Sequence, residues 1–337
     1  MPDPIREQTP ETIVQTASAF YASAVLFAAL DADLFGCLQQ TPNATADEVA
    51  VARQLAPRGV RLLLDACVAI GLLRKTDDRY ANTPGAALSL VPGAPADLTR
   101  AIRYNRDVYG AWGKLPELVR SGRPVEPPSL HLGDDPERTR RFVLSMHGRA
   151  LGIGRAVVPR IDLAGCKSLL DLAGGPGTYA VLLAQANPGL HCTVLDLPPV
   201  AAVASELIAQ AGMSDRVRTL PGDYHTTPFP GGVDAVTIFG ALHQESPEAI
   251  RDILRRAHAA LVPGGRIYIL DMMTDATHTQ PAFSALFAVN MALTTDNGWV
   301  FSDREICGWL AEAGFTGTAI QPIPPPMPHW LAIARKA

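Results

Sequence analysis

The chain has 337 residues, 47% of them hydrophobic and 18% charged, with a formal net charge of −4 at pH 7. That length supports two domains and a large buried core, and the slight acidity excludes the electrostatic footprint of a protein that binds nucleic acid or an anionic membrane surface. Cys37, Cys67, Cys166, Cys192 and Cys307 are odd in number and form no Cys-x-x-Cys pair, so neither a disulfide framework nor a zinc site is indicated.

The N-terminus, Met1-Pro2-Asp3-Pro4, lacks the basic-then-apolar pattern of a leader, and no run of ~18 apolar residues marks a membrane span. A soluble, cytoplasmic protein without a membrane partner is expected. From Thr12 to about Pro92 the pattern is helical. Ala17, Phe20, Tyr21, Ala24, Val25, Phe27 and Ala28 make one broad apolar face, which predicts an amphipathic, mostly buried helix. Thr45 reads as the cap of a helix through Ala46-Asp47-Glu48-Val49-Ala50, Arg58 to Ile70 supplies a second helix, and Leu72 to Tyr80 reads as a hairpin turning at Asp77-Asp78. Helix, turn, helix and wing predict a winged helix over residues 1–95.

Winged helices also bind DNA, so a cofactor-binding regulator is a competing reading. Charge argues against it: residues 1–95 hold seven Lys or Arg against ten Asp or Glu. Arg58 to Leu73, where a recognition helix would lie, is largely Leu, Ala, Val and Ile. Such a face suits a protein partner better than phosphate.

Residues 96–160 read as connecting helices and a linker: a helix containing Tyr109, Trp112 and Leu115, the proline-rich Ser121 to Pro128, and a helix from Phe142 to Ile161 bearing Met146 and His147. Residues 161–337 alternate strands with helical patterns. Ser168–Leu172, His191–Leu195, Val217–Leu220, Val233–Phe239 and Arg266–Asp271 predict a doubly wound parallel α/β sheet. Gly317–Gln321 and Trp330–Arg335 read as two further strands, with Pro324-Pro325-Pro326 a rigid turn between them.

In such sheets ligands sit at the carboxyl ends of the strands. Leu169-Leu170-Asp171-Leu172-Ala173-Gly174-Gly175-Pro176-Gly177-Thr178-Tyr179 reads as strand, tight loop and helix, and Asp196 follows Gly177 by nineteen residues at the end of the next strand. A dinucleotide site wants Gly-x-Gly-x-x-Gly so that a helix N-terminus meets a pyrophosphate. Here Asp171 heads a compact turn carrying Gly174, Gly175 and Gly177, an arrangement suited to a nucleoside cofactor with an amine and no phosphate. Asp196 occupies the position from which doubly wound proteins hydrogen-bond ribose hydroxyls.

This stretch resembles motif I of S-adenosylmethionine-dependent methyltransferases. Pro221-Gly222-Asp223-Tyr224 and Leu242-His243-Gln244-Glu245-Ser246 resemble later strand-end segments of the small-molecule O-methyltransferases of the caffeic acid and acetylserotonin type. The resemblance covers essentially the whole chain. It implies a Rossmann-like catalytic domain with antiparallel edge strands, an N-terminal winged-helix dimerisation domain and a homodimer. It further implies that Asp171 and the glycine loop hold the methionine end of the cofactor, Asp196 the ribose, and Asp223 and Tyr224 the adenine, with Leu197 and Phe239 completing the set. Ala173 stands where the family has a glycine and is expected to fit with a negative φ. The cofactor is S-adenosyl-L-methionine, its product S-adenosyl-L-homocysteine. No metal is expected, since Asp and Glu sit singly at strand ends.

His243 is the candidate catalytic base. A hydroxyl attacks a methyl well only as its proton leaves, and neutral imidazole can take that proton as the bond forms. Asp271, 28 residues on, falls where the family places the glutamate that orients the histidine. Met146, His147, Met272, Asn290 and Met291 are implied acceptor-contacting residues, with Phe287 and Trp299 nearby. There are departures: Val300 replaces a second glutamate, Gln244 and Glu245 replace an acid and a tryptophan, and Phe239 replaces a lysine. Gln244 thereby joins the candidate acceptor residues. The acceptor atom stays open: a small-molecule hydroxyl leads, while a thiol or thioether, which as a thioether needs no base, or a carbon or nitrogen are alternatives.

Overall fold

The computed structural model describes residues 8–325 and 327–337; Met1 to Pro4, read above for a leader, and Pro326 of the proline turn lie outside the described residues. The chain divides into two compact units, one ending at Arg106 and the other beginning at Asp107.

The first unit opens with helices α1 (Pro10–Ser18), α2 (Phe20–Asp31) and α3 (Leu34–Gln40), followed by strand β1 (Ala44–Thr45). Then come α4 (Ala46–Arg53), α5 (Pro57–Ala69), the hairpin β2 (Leu73–Thr76) and β3 (Arg79–Asn82), and α6 (Pro84–Ser89). The predicted winged helix is therefore present. Thr45 and Glu48 form a reciprocal capping box at the start of α4, each side chain bonding the other's backbone N–H. The wing turns at Asp77, in the left-handed region at φ 54°, and joins β1 in a sheet of order β1-β3-β2. Leu34, Phe35, Leu38, Val49, Leu64 and Tyr80 form its core.

The expectation of a mostly buried first helix is overturned. In α1 no residue is buried, and in α2 only Phe27 and Ala29 are. Ile13, Val14, Phe20 and Tyr21 are each more than half exposed. Apolar side chains encircle α2 instead of keeping to one stripe, so one flank of it stays uncovered within the chain. The membrane reading is corrected as well: Pro10–Asp31 is a helical stretch of 22 residues containing an 18-residue window of mean hydropathy 1.7, long and apolar enough to span a membrane by length and composition.

Helix α7 (Thr99–Trp112) ends at Gly113, and α8 (Leu115–Ser121) starts afresh, so the single helix expected through Tyr109, Trp112 and Leu115 is two. After α9 (Ser129–Leu132) comes α10 (Pro136–Val157), capped by Asp135 and carrying Met146 and His147. The alternating region then runs β4 (Ser168–Leu172), α11 (Thr178–Ala186), β5 (His191–Asp196), α12 (Pro198–Gln210), β6 (Val217–Pro221) and β7 (Val233–Phe239). It continues through α13 (Pro247–Ala260), β8 (Leu261–Asp271), α14 (Ala282–Thr294), α15 (Asp303–Glu312), β9 (Phe315–Pro322) and β10 (Trp330–Lys336).

The seven strands lie in the order β6-β5-β4-β7-β8-β10-β9. β6, β5, β4, β7 and β8 pair in parallel, whereas β10 is antiparallel to both β8 and β9. Alternation along β8 builds the two layers. Ile267 and Ile269 face a core with Ile250, Leu254, Trp309 and Leu310, and Tyr268 and Leu270 face one with Val157, Ala180, Leu183 and Ile208. The strand order reverses at β4, whose carboxyl end is therefore the crevice where a doubly wound sheet binds ligands.

Candidate active site

Asp171, near the end of β4, is 1% exposed. Its Oδ1 accepts from Thr237 Oγ1 of β7 at 2.7 Å, while Oδ2 has no hydrogen-bond partner. Burial pushes its carboxyl up to about 7, with a smaller push from the charge of Asp196. The loop that follows leaves no room for a side chain at Gly174. A Cβ on Gly174 would stand 2.5 Å from Asp171 Oδ2 and 2.7 Å from a methyl carbon of Val194. Ala173 takes φ 51°, overturning the expectation of a negative value. The turn imposes the left-handed conformation the family's glycine adopts freely, and here an alanine bears the strain.

Asp196, at the end of β5, ties this loop to its own: Oδ2 accepts from Gly175 N at 2.7 Å and Oδ1 from Leu197 N at 2.8 Å. Burial raises its carboxyl to about 6 despite both bonds. The donor set fits S-adenosylmethionine: the orphaned carboxylate oxygen of Asp171 suits a cationic ammonium, and Asp196 keeps lone pairs for two hydroxyls.

After β6, Asp223 Oδ1 accepts from His225 N at 2.8 Å, an Asp turn that presents Tyr224. The Tyr224 hydroxyl donates to Glu245 Oε1 at 2.5 Å, and burial holds that phenol well above its usual range. Glu245 is 6% exposed and also pairs with His225 Nε2 at 3.3 Å. Its carbonyl accepts from Trp299 Nε1 at 2.8 Å, and Trp299 N donates to the His243 carbonyl at 2.9 Å. The acid in the family's tryptophan position is thus a buried strut between the loop after β6 and the loop after β7.

His243 lies in a single 3₁₀ turn, Leu242–Gln244, and is 8% exposed. Its Nδ1 is 2.5 Å from Asp271 Oδ1, and its backbone N–H donates to Asp271 Oδ2 at 3.3 Å. Asp271 Oδ1 accepts from Met272 N as well, at 2.7 Å. A carboxylate that receives these backbone donors can only accept from the imidazole, so Nδ1 carries the proton and Nε2 is left as the basic atom. The ring packs edge-on against Phe287 of α14, centroids 5.1 Å apart. Val300 is 2% exposed.

The remaining candidates divide. Met272 and Met291 are buried, and Asn290 Oδ1 accepts from Trp112 Nε1 at 2.9 Å. Met146 and Gln244 are half-buried. His147 Nδ1 is 2.7 Å from Thr178 Oγ1, the first residue of α11, so it meets the helix after the glycine loop. Phe239 is 8% exposed and packs edge-on against Tyr179 at 5.0 Å. Thr237 and His329 escape the sequence reading, and Glu245 reads there as a departure without its buried contacts. Thr237 had a signal, a hydroxyl among the apolar residues at the end of its strand; the place of His329 depends on pairing across the sheet. Among the described residues no group of three or more His, Cys, Asp or Glu is arranged to hold a metal ion.

The model of the O-methyltransferase domain matches residues 125–316 and that of the O-methyltransferase dimerisation domain residues 14–92. The chain belongs to the O-methyltransferase family. It is an S-adenosylmethionine-dependent enzyme of the small-molecule type. The tetracenomycin polyketide synthesis 8-O-methyl transferase TcmO of Streptomyces glaucescens is 33% identical over 97% of each chain. An L-tyrosine C(3)-methyltransferase of Streptomyces lavendulae is 32% identical over 95% of this chain and 90% of its own. Human N-acetylserotonin methyltransferase, solved in complex with SAM, matches with TM-score 0.88 at 25% identity over 99% of each chain.

Proposed function

We propose that this member methylates a hydroxyl of a small aromatic acceptor of the polyketide kind, with His243 as general base and Asp271 as the residue that orients it. The buried 2.5 Å contact between His243 Nδ1 and Asp271 Oδ1 carries this reading, because it leaves Nε2 to receive a proton at the carboxyl edge of the sheet. S-Adenosylmethionine, when bound, supplies an electrophilic methyl group and leaves as S-adenosylhomocysteine. Asp171, Gly174, Gly175 and Gly177 would hold its amino-acid end, Asp196 and Leu197 the ribose, and Asp223, Tyr224 and Phe239 the adenine.

His243 Nε2 takes the hydroxyl proton of the acceptor, and Asp271 stabilises the imidazolium that forms. Met146, His147, Gln244, Met272, Asn290 and Met291 are the acceptor-side residues, and no metal takes part. The protein works as a cytoplasmic homodimer through residues 14–92, a reading supported by the exposed apolar flank of α1 and α2. It has no nucleic-acid partner.

Carbon methylation is the second reading, favoured by the tyrosine C(3)-methyltransferase relative. A phenolate made by the same base is nucleophilic at its ortho carbon as well as at oxygen. A thioether acceptor would leave the buried dyad without a task.

The test is turnover of hydroxylated arenes with methyl-labelled S-adenosylmethionine, the label located by NMR. His243→Ala is expected to lower turnover ~100-fold or more with cofactor affinity nearly unchanged. Unchanged turnover would refute the base assignment, and label on carbon would select the second reading.

A further inference from the structure

His329 precedes β10, whose first residue, Trp330, stands opposite Asp271 in the antiparallel ladder with β8. β10 runs against the parallel strands, so its start lies at their carboxyl edge, beside the carboxylate that grips His243. The imidazole is 9% exposed, and its Nδ1 is buried without a hydrogen-bond partner. The carbonyl of His329 accepts from Ile323 N at 2.8 Å, which anchors the backbone on both sides of the proline segment. Burial holds the ring neutral, its pKa pushed down to about 4, with the charge of Arg149 acting in the same direction and Asp271 opposing. Buried polar atoms without partners are few in folded proteins, and one at this edge of the sheet calls for an explanation.

We propose that His329 is an acceptor-binding, specificity-determining residue. Its neutral imidazole hydrogen-bonds a second uncharged polar group, hydroxyl or carbonyl, that the acceptor carries beside the hydroxyl being methylated. A neutral imidazole has one donor and one acceptor nitrogen, so it meets either group. The chemical class implied is an arene with neighbouring oxygens, ortho or peri. This rests on the reading of His243 as the base that faces the reacting hydroxyl.

Calorimetry of the S-adenosylhomocysteine-loaded protein with 1,8-dihydroxynaphthalene and with 1-naphthol tests it, alongside thermal melts. Wild type is expected to bind the dihydroxy probe roughly tenfold or more tighter, and His329→Leu to lose that preference. The same variant removes an orphaned polar atom, so its melting temperature is expected to rise by ~2–6 °C. His329→Gln, which keeps a donor and an acceptor, restores part of the preference. A wild type that does not favour the dihydroxy probe, a preference kept in His329→Leu, or a lowered melting temperature, which marks a structural imidazole, overturns the proposal. Failure of the base assignment shows separately, as His243→Ala turning over its acceptors at the wild-type rate.

Discussion

Replacing Asp171 by Asn should make the apoprotein more stable above neutral pH while weakening its hold on the cofactor. The carboxyl is buried to 1% exposure and titrates at about 7, against 3.8 for an ordinary Asp. A shift of roughly three units corresponds to about 4 kcal/mol between the protonation states. Because the folded-state pKa is the raised one, the folded protein keeps a proton that the unfolded chain loses from about pH 4 upward. Stability therefore falls as pH rises through the interval from about 4 to 7, and the full penalty is present only above it. Asn carries no charge and so no such penalty, and its oxygen can still accept from Thr237. Its amide N–H takes the place of the orphaned Oδ2 at a cost of ~1–3 kcal/mol. The net gain at pH 8 is about 1–3 kcal/mol, or roughly 3–10 °C in melting temperature for a domain of this size. Below about pH 4 the gain is gone and the variant is the less stable protein. Scanning fluorimetry of both apoproteins between pH 4 and 8 reads this directly, with the stabilisation by added S-adenosylmethionine expected to shrink in the variant. A pH-independent shift, or a variant less stable at pH 8, would refute the argument that this carboxylate is held in place for a cationic ligand.

Two further outcomes follow from features the fold leaves unsatisfied. Ala173→Gly relieves a left-handed alanine, φ 51°, worth ~1–2 kcal/mol, against ~0.4–1 kcal/mol of added unfolded-chain entropy. Urea melts should therefore show a small net stabilisation, and a clear loss would show that the turn is not strained. Phe20→Asp combined with Tyr21→Asp, at positions 53% and 62% exposed in the single chain, should convert a dimer into a folded monomer by light scattering. A wild type that is already monomeric at ~10 µM would refute the docking role of this flank, since so large an exposed apolar patch marks an interface.

What the sequence made legible follows from which interactions are local. Strands β4 to β8 announce themselves as short apolar runs broken by glycine turns, and the acids Asp171, Asp196 and Asp271 stand at their ends, so the fold and the placing of these candidate residues at the strand ends could be read in chain order. The sign of φ at Ala173 could not, because it is set by the turn's closure and not by the alanine. Nor could the burial of α2: an apolar helix looks the same whether its partner is its own chain or another. Glu245 read as a charged departure in a loop and is a buried strut, since its partners Tyr224 and Trp299 lie 21 and 54 residues away. His329 gave no signal at all, because its place beside Asp271 comes from an antiparallel register across the sheet. Three of the features that break local rules, an orphaned carboxylate oxygen at Asp171, a strained alanine and an orphaned imidazole at His329, meet at one edge of one sheet. A core optimised only for folding would have removed each of them by a single substitution. Their joint presence at the carboxyl edge is what a surface shaped around two ligands requires, and it predicts that stabilising substitutions here cost binding, the acid on the cofactor side and the histidine on the acceptor side.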